Sequence, residues 1–295
     1  MLSILIPIYN YNVYPLVLEL HGQCVECKID FEILCLDDGS NQIKSENQHV
    51  SALENCRFEI VEKNIGRSGI RNLLAKKAKF ANLLFLDADT FPTRKDFIQN
   101  YVFQINNDEK VVFGGIEYQK EKPADDQLLR WFYGNARESL SVIKRNSNPN
   151  ENALTSNILI KKNVFNANKF DASITKYGYE DLVFLSALKK KGILVKHIDN
   201  PTYHLGLETS QQFLDKTKIA LENLKILAET KSLGSSESKI IRTYIFLKKL
   251  YLVDVIAFLF KKGELKIEHN LLSKKPSLLL FDLYKLGYYC GLKSK

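Results

Sequence analysis

The chain has little with which to build a cross-linked or membrane-embedded fold. Its 295 residues hold five cysteines, a small and odd number that argues against a disulfide framework and for a reducing compartment. Cys24 and Cys27 form a Cys-x-x-Cys pair, but no second Cys or His pair stands at zinc-ligand spacing. They lie toward the end of a helical stretch begun by Leu16-Val17-Leu18 and read as packing thiols. No run approaches the ~20 apolar residues of a spanning helix. Lys248, Lys249, Asp254, Lys261 and Lys262 interrupt the most apolar stretch. No basic flank precedes Leu2–Ile8, so no secretory leader is expected. The expected location is cytoplasmic, with the inner face of the cytoplasmic membrane as a peripheral alternative. Internal repeats and low-complexity tracts are missing too. Neither G-x-G-x-x-G nor G-K-[ST] occurs, which removes the dinucleotide and P-loop readings.

What is present is an ordinary globular composition, 45% apolar and 26% charged, in a chain long enough for one sizeable α/β domain and an appendage. The net charge of +8 is unevenly placed. Residues 1–210 carry 26 basic and 26 acidic side chains, whereas residues 211–295 carry 16 and 8. The basic excess alternates with apolar blocks such as Val255-Ile256-Ala257-Phe258-Leu259-Phe260. That pattern suits attachment to an anionic membrane surface. It equally suits a helical element with a solvated basic face, packed on the rest of the chain or in a homodimer. No recognised nucleic-acid-binding motif accompanies the charge, so nucleic acid is not an expected partner.

Strand-like and helix-like segments alternate to about residue 120, the pattern of a doubly wound, mostly parallel twisted sheet flanked by helices. Strands are expected at Leu2–Ile8, Phe31–Leu36, Phe58–Val61, Leu83–Leu86 and Val111–Phe113. Helices are expected at Val13–Gln23, Ser68–Lys79 and from Lys95 to Ile105. Beyond Gly114-Gly115 the alternation loosens into a helix over Asp125–Lys144, a loop at Asn146–Asn152, a strand at Ala153–Ile160 and a helix from Glu180 to Gly192. From Ser210 onward the spacing of Phe213, Thr217, Leu221, Leu224 and Ala228 is helical. The expected organisation is a domain over 1–210, divided near residue 115, and a basic helical region over 211–295.

The strand ends carry the chemistry. Leu83-Leu84-Phe85-Leu86 runs straight into Asp87-Ala88-Asp89, delivering two hard oxygen donors at the end of a buried strand, where open parallel sheets bind ligands. Leu36-Asp37-Asp38-Gly39-Ser40 ends another strand with an acid able to accept from a nucleotide base or ribose hydroxyl. Asn64-Ile65-Gly66-Arg67-Ser68-Gly69-Ile70-Arg71-Asn72 opens a helix with two glycines, which permit close backbone approach, and two arginines able to face phosphate.

Taken in order, these segments resemble the family 2 glycosyltransferases of the GT-A fold. The resemblance rests on Ser3–Asn10, Asp37–Ser40, the glycines and arginine of Asn64–Asn72, Leu86–Asp89, and Tyr177-Gly178-Tyr179-Glu180-Asp181. It covers roughly residues 1–205. No Q-x-x-R-W segment follows Asp181, so a non-processive enzyme adding one sugar is the better match.

The resemblance implies roles residue by residue. Pro7, Tyr9 and Asp38 would line the nucleotide slot, with Asp38 on the uracil of a UDP-sugar. Gly66 and Arg71 would lie near the donor, and Asp87 would face ribose or donor sugar. Asp89 would bind Mn²⁺ or Mg²⁺ beneath the diphosphate. Asp181 would be the general base of an inverting displacement, ionised at a helix N-terminus, with Glu180 beside it touching acceptor or donor sugar. His204 falls where many members place a further metal ligand, although a lone histidine also suits a structural role, and His197 competes from a strand-like run. The resemblance further implies a nucleotide-binding half over 1–115, an acceptor-binding half over 116–210 and a glycan or lipid-linked acceptor in surface polysaccharide synthesis. Trp131, Phe132 and Tyr133 offer stacking faces for specificity or side chains for the core. A nucleotidyltransferase would carry a Gly-rich basic loop after the first strand, where Pro7-Ile8-Tyr9-Asn10 stands. A non-catalytic relative binding a membrane or partner would have no use for Asp38, Asp89 and Asp181 together.

Overall fold

Leu2–Ile8 is apolar everywhere but Ser3, a pattern that suits a strand covered on both faces. In the computed structural model, which describes residues 1–293, it forms β1 within a seven-stranded sheet. β2 (Phe31–Asp37), β3 (Cys56–Ile60) and β4 (Asn82–Leu86) extend it in parallel, in the spatial order β3-β2-β1-β4. The next strands divide between two sheets. β5 (Thr90–Pro92) leaves for a second, three-stranded sheet, and β6 (Val111–Phe113) stays with the first. β7 (Ile116–Glu117) joins the second, β8 (Asn157–Lys161) and the edge strand β9 (Lys196–His197) the first, and β10 (Thr202–His204) lies between β5 and β7. β8 runs antiparallel to both β4 and β6, so the sheet is mostly but not wholly parallel.

The period of two sorts the strand side chains into two cores. Ile4, Ile6, Ile33, Cys35, Leu84 and Leu86 pack on one face beneath α1 (Tyr14–Glu26). Leu5, Leu34, Leu36, Leu83 and Phe85 pack on the other beneath α2 (Gly66–Lys77). α3 (Phe97–Asn106) completes the first core with Phe97, Ile98 and Tyr101. Cys24 is buried in that core and its thiol is free, as a packing role requires.

The stretch expected as one helix over Asp125–Lys144 is broken. α4 (Leu128–Tyr133) runs into a π-helical turn at Gly134–Glu138, and the helix resumes only as α5 (Val142–Asn146). Two local features accompany the break. A methyl at Gly134 would run into the Tyr118 ring, and Ser141 restarts the helix by accepting from the Lys144 amide. The strand expected from Ala153 begins at Asn157; ahead of it, the Thr155 hydroxyl donates to Asp181.

α6 (Lys162–Asn166) and α7 (Glu180–Lys190) close the second core, where the rings of Phe170 and Phe184 stack at 4.3 Å. The remainder is helical, as its spacing indicates: α8 (Ser210–Glu229), α9 (Lys239–Lys249), α10 (Val253–Leu271) and α11 (Leu278–Gly291). Thr209 and Gln212 start α8 with a reciprocal capping box. Leu221, Leu224 and Leu227 of α8 pack with Ile174, Tyr179 and Leu182, so α8 is fastened to the start of α7 and the segment before it. A boundary drawn at 210 meets the first residue of this helix. Among the described residues, no helix is long and apolar enough to cross a membrane.

One side chain joins the two sheets. Asn157, fully buried at the start of β8, accepts from the Tyr101 hydroxyl at 2.6 Å and donates to the carbonyls of Gly115 (2.8 Å) and Asn200 (3.0 Å). Asn157→Leu would leave the Asn200 carbonyl without its donor, whereas the Gly115 carbonyl keeps the Thr202 amide at 3.3 Å and the Tyr101 hydroxyl keeps the backbone carbonyl of residue 157 at 3.3 Å. Each buried polar group left unpaired costs about 1–3 kcal/mol. The variant should therefore lose about 1–3 kcal/mol in urea denaturation.

Candidate active site

A cleft of about 310 Å³ opens where β1, β2 and β4 end. Pro7, Tyr9, Asp38, Arg71, Asp87, Asp89, Asp181 and His204 all line it, although they come from distant parts of the sequence. Gly66 and Glu180 stand behind the lining.

Asp38 ties the second strand to the next helix. Its carboxylate accepts from the amides of Ile65 (2.7 Å) and Gly66 (3.0 Å), the first donors of α2. Gly66 adopts φ +77°, which places its amide there at no steric cost. Burial raises the Asp38 carboxyl above its ordinary range, and the two amides offset part of that rise.

One turn into α2, Arg71 is only 2% exposed and donates to Asp87 at 2.7 Å. Its other terminal nitrogen lies 4.0 Å from Glu180, and the guanidinium stands over the Phe170 ring. Arg67 reaches Glu180 at 3.4 Å and covers the Tyr177 ring. Burial alone would raise Asp87, but Arg71 and Arg67 outweigh it and hold the group below the ordinary carboxylate range.

Glu180 and Asp181 open α7 after two residues in the left-handed region, Gly178 (φ +93°) and Tyr179 (φ +69°). This turn aims Asp181 into the cleft while Glu180 is buried against the arginines. Asn223 of α8 secures it by donating to the Gly178 carbonyl at 2.6 Å. The Thr155 hydroxyl donates to Asp181 at 2.6 Å. The helix N-terminus does not keep this carboxyl low. Burial and the neighbouring Glu180 raise it above the ordinary range, and Arg71 and Thr155 recover only part of the rise.

Asp89 and His204 meet on the second sheet, with Oδ2 and Nε2 3.5 Å apart. Gly206 lets the chain pass close to Asp89, since a methyl there would run into the carboxylate. His197 lies elsewhere, buried in β9 against Arg145 and the Pro149 carbonyl. No group of three or more His, Cys, Asp or Glu side chains able to hold a metal occurs among the described residues. A carboxylate and an imidazole nonetheless fit Mn²⁺ or Mg²⁺, ions that take few protein ligands and complete their shell with phosphate oxygens and water.

Sequence reasoning missed Arg130, Glu138, Glu208 and Lys216, all of which line the cleft. Glu138 ends the π-helical turn, accepts from Arg130 at 3.0 Å and bonds the Tyr118 hydroxyl, whose ring stacks on His204. The available signal was Gly134, a glycine inside an apparent helix. Trp131, Phe132 and Tyr133 are not among the lining residues. Tyr133 packs on Phe213 and Phe281, and Trp131 stacks edge-on against Phe132.

A family model described as glycosyl transferase family 2 matches residues 3–170. A poly(ribitol-phosphate) beta-glucosyltransferase of Bacillus spizizenii is 27% identical over 128 residues, which cover 39% of this chain. The match spans only 19% of that relative's length. A mannosyltransferase from Pyrobaculum calidifontis, solved with GDP-Man and Mn²⁺, shares the fold with a TM-score of 0.51 at 14% identity. The superposition covers 79% of this chain and 64% of that one. S. aureus TarS 1–349 aligns over 96% of this chain and 89% of its own at 16% identity and a TM-score of 0.48.

Arg71→Met should cost about 3–5 kcal/mol at neutral pH, the usual result of removing one partner of a buried ion pair. Asp87 is depressed in the folded state, so its contribution is present at neutral pH and is lost as pH falls below the unfolded value of about 3.9. The gap between wild type and variant should narrow when urea titrations at about pH 7 are repeated near pH 3.5.

Proposed function

The chain belongs to glycosyl transferase family 2, and we propose that it moves one sugar from a nucleotide-sugar donor to an acceptor hydroxyl in a single inverting displacement. The observation that carries the reading is the convergence of Asp38, Asp87, Asp89 and Asp181 on one cleft with Arg71 buried among them. We take the donor to be a UDP-sugar and the acceptor to be a glycan or lipid-linked hydroxyl of a surface polysaccharide, a setting that rests on family analogy.

In this assignment Pro7 and Tyr9 line the base slot, and Asp38 accepts from the base while its amide bonds hold α2. Asp87, with one oxygen fixed by Arg71, faces ribose or donor sugar. Asp89 and His204 would hold Mn²⁺ or Mg²⁺, which supplies positive charge to the departing diphosphate. Asp181 takes the proton of the acceptor hydroxyl as its oxygen bonds the anomeric carbon and the nucleoside diphosphate leaves. Thr155 holds the carboxylate in place. A raised carboxyl serves this role, because a base is most effective when its pKa approaches the working pH. Residues 1–115 would bind the nucleotide, 116–210 the acceptor, and the basic helices of 211–295 would bring the enzyme to it.

Asp181→Asn keeps shape and removes the proton acceptor. UDP release in the presence of acceptor should fall by roughly 10²–10⁴, while calorimetric UDP binding survives. The wild-type acid limb of kcat/KM should lie above the ~3.9 of an ordinary aspartate, because burial and Glu180 raise the group. A limb at or below that value would move the base elsewhere.

Asp89→Ala should abolish the gain in UDP affinity produced by Mn²⁺ without changing the circular dichroism spectrum. Titrations with and without the ion read this directly, and an unchanged Mn²⁺ effect would contradict the assignment.

A further inference from the structure

The outer faces of α9 and α10 are left bare by the fold. Val255, Phe258, Leu259, Lys262, Leu265 and Lys266 recur at helical spacing along the exposed side of α10. Phe258 and Leu259 are 57% and 58% exposed. α9 presents Arg242, Ile245, Phe246 and Lys249 in the same way. The two helices meet at Leu250-Tyr251-Leu252, where Tyr251 is 91% exposed.

The turn itself is unusual. The Leu252 amide bonds the Leu247 carbonyl and the Tyr251 amide bonds that of Lys248, which closes α9 in a Schellman motif. The residue at its left-handed position is usually glycine, yet Tyr251 stands there at φ +57°. An aromatic ring held outward at a position that favours glycine has no packing role within this chain.

We propose that the turn at Tyr251 and the outer face of α10 form a docking surface for an anionic lipid bilayer, with Tyr251, Phe258 and Leu259 entering the headgroup–acyl boundary. The mix of apolar and basic side chains on one exposed face is that of a helix lying in a membrane interface, and tyrosine belongs at such a boundary. Of the lysines in residues 211–293, Lys216, Lys218, Lys274 and Lys285 form ion pairs. Lys248, Lys249, Lys261, Lys262 and Lys266 make none among the described residues. A second copy is the poorer occupant. A two-fold contact sets a patch against itself, which would press these lysines together, whereas anionic lipid complements them. The surface rests on the transferase reading only for its purpose, which is to bring the cleft to a lipid-linked acceptor.

Flotation of the full chain with phosphatidylglycerol-containing vesicles tests the surface. Binding should be clear at about 0.05 M salt and largely lost at about 0.5 M, and pure phosphatidylcholine vesicles should bind little. Lys261→Gln with Lys262→Gln should reduce the partition coefficient about thirty-fold, at roughly five-fold per lysine. Phe258→Ser with Leu259→Ser should abolish flotation. These side chains are exposed and belong to none of the core clusters, and Mn²⁺-dependent UDP binding checks that each variant is folded. No flotation at low salt, or equal binding to neutral vesicles, would overturn the proposal. So would a wild-type dimer in light scattering that Phe258→Ser with Leu259→Ser turns into monomer. UDP binding that survives such a result leaves the transferase reading standing, and its failure in wild type would sink that reading instead.

Discussion

Carboxylates that converge in a partly dry cleft hold their charge more readily where a cation shares it, and Arg71, only 2% exposed, is the cation set among them. It pairs with Asp87, lies near Glu180 and lowers the cost of charge on Asp181. Its position follows from the preceding turn. Asp38 takes the first amides of α2, which fixes where the helix starts and hence where Arg71, on its second turn, can reach. One chain of contacts thus runs from the end of β2 through α2 to the acids at the end of β4 and the start of α7. The site acids are consequently held in different states: Asp87 below the ordinary range, Asp38, Asp89 and Asp181 above it.

The second sheet gives the cleft its other wall. Asn157 locks it to the first through the carbonyls of Gly115 and Asn200. On that wall Arg130, Glu138 and Tyr118 form a buried polar set against His204. Glycine is required where the packing is tightest: Gly134 beneath the Tyr118 ring and Gly206 beside the Asp89 carboxylate. A π-helical turn at such a place is a common way of redirecting a side chain without ending the helix.

The C-terminal helices are not a detached appendage. α8 packs on the loop before α7, bonds the Gly178 carbonyl and contributes Lys216 to the cleft. α11 lies between α8 and the outer helices and buries Phe281, Tyr284 and Tyr289. Attachment therefore weakens outward, from a helix that holds the site to two helices that each bury a single residue.

Much of this was legible in the sequence, because the signals are local. Strands covered on both faces read as continuous apolar runs, so β1, β2 and β4, and the acids at the tips of β2 and β4, could be placed within a residue or two. The same runs implied a mostly parallel sheet with its ligands at those tips. The division of charge at residue 210 was equally visible. Tertiary structure alone decided the rest. Glu180 and Asp181 are adjacent and chemically alike, yet a left-handed turn pinned by α8 sends one to the arginines and the other to the cleft. Whether β8 runs parallel or antiparallel, and whether Tyr118, Arg130 and Glu138 meet, depends on packing between segments that no short window contains. Arg67 and Glu180 lie 113 residues apart. Periodicity and strand ends are written into a few neighbouring residues, whereas burial, pairing and the charge state of an acid belong to the surroundings that folding brings together.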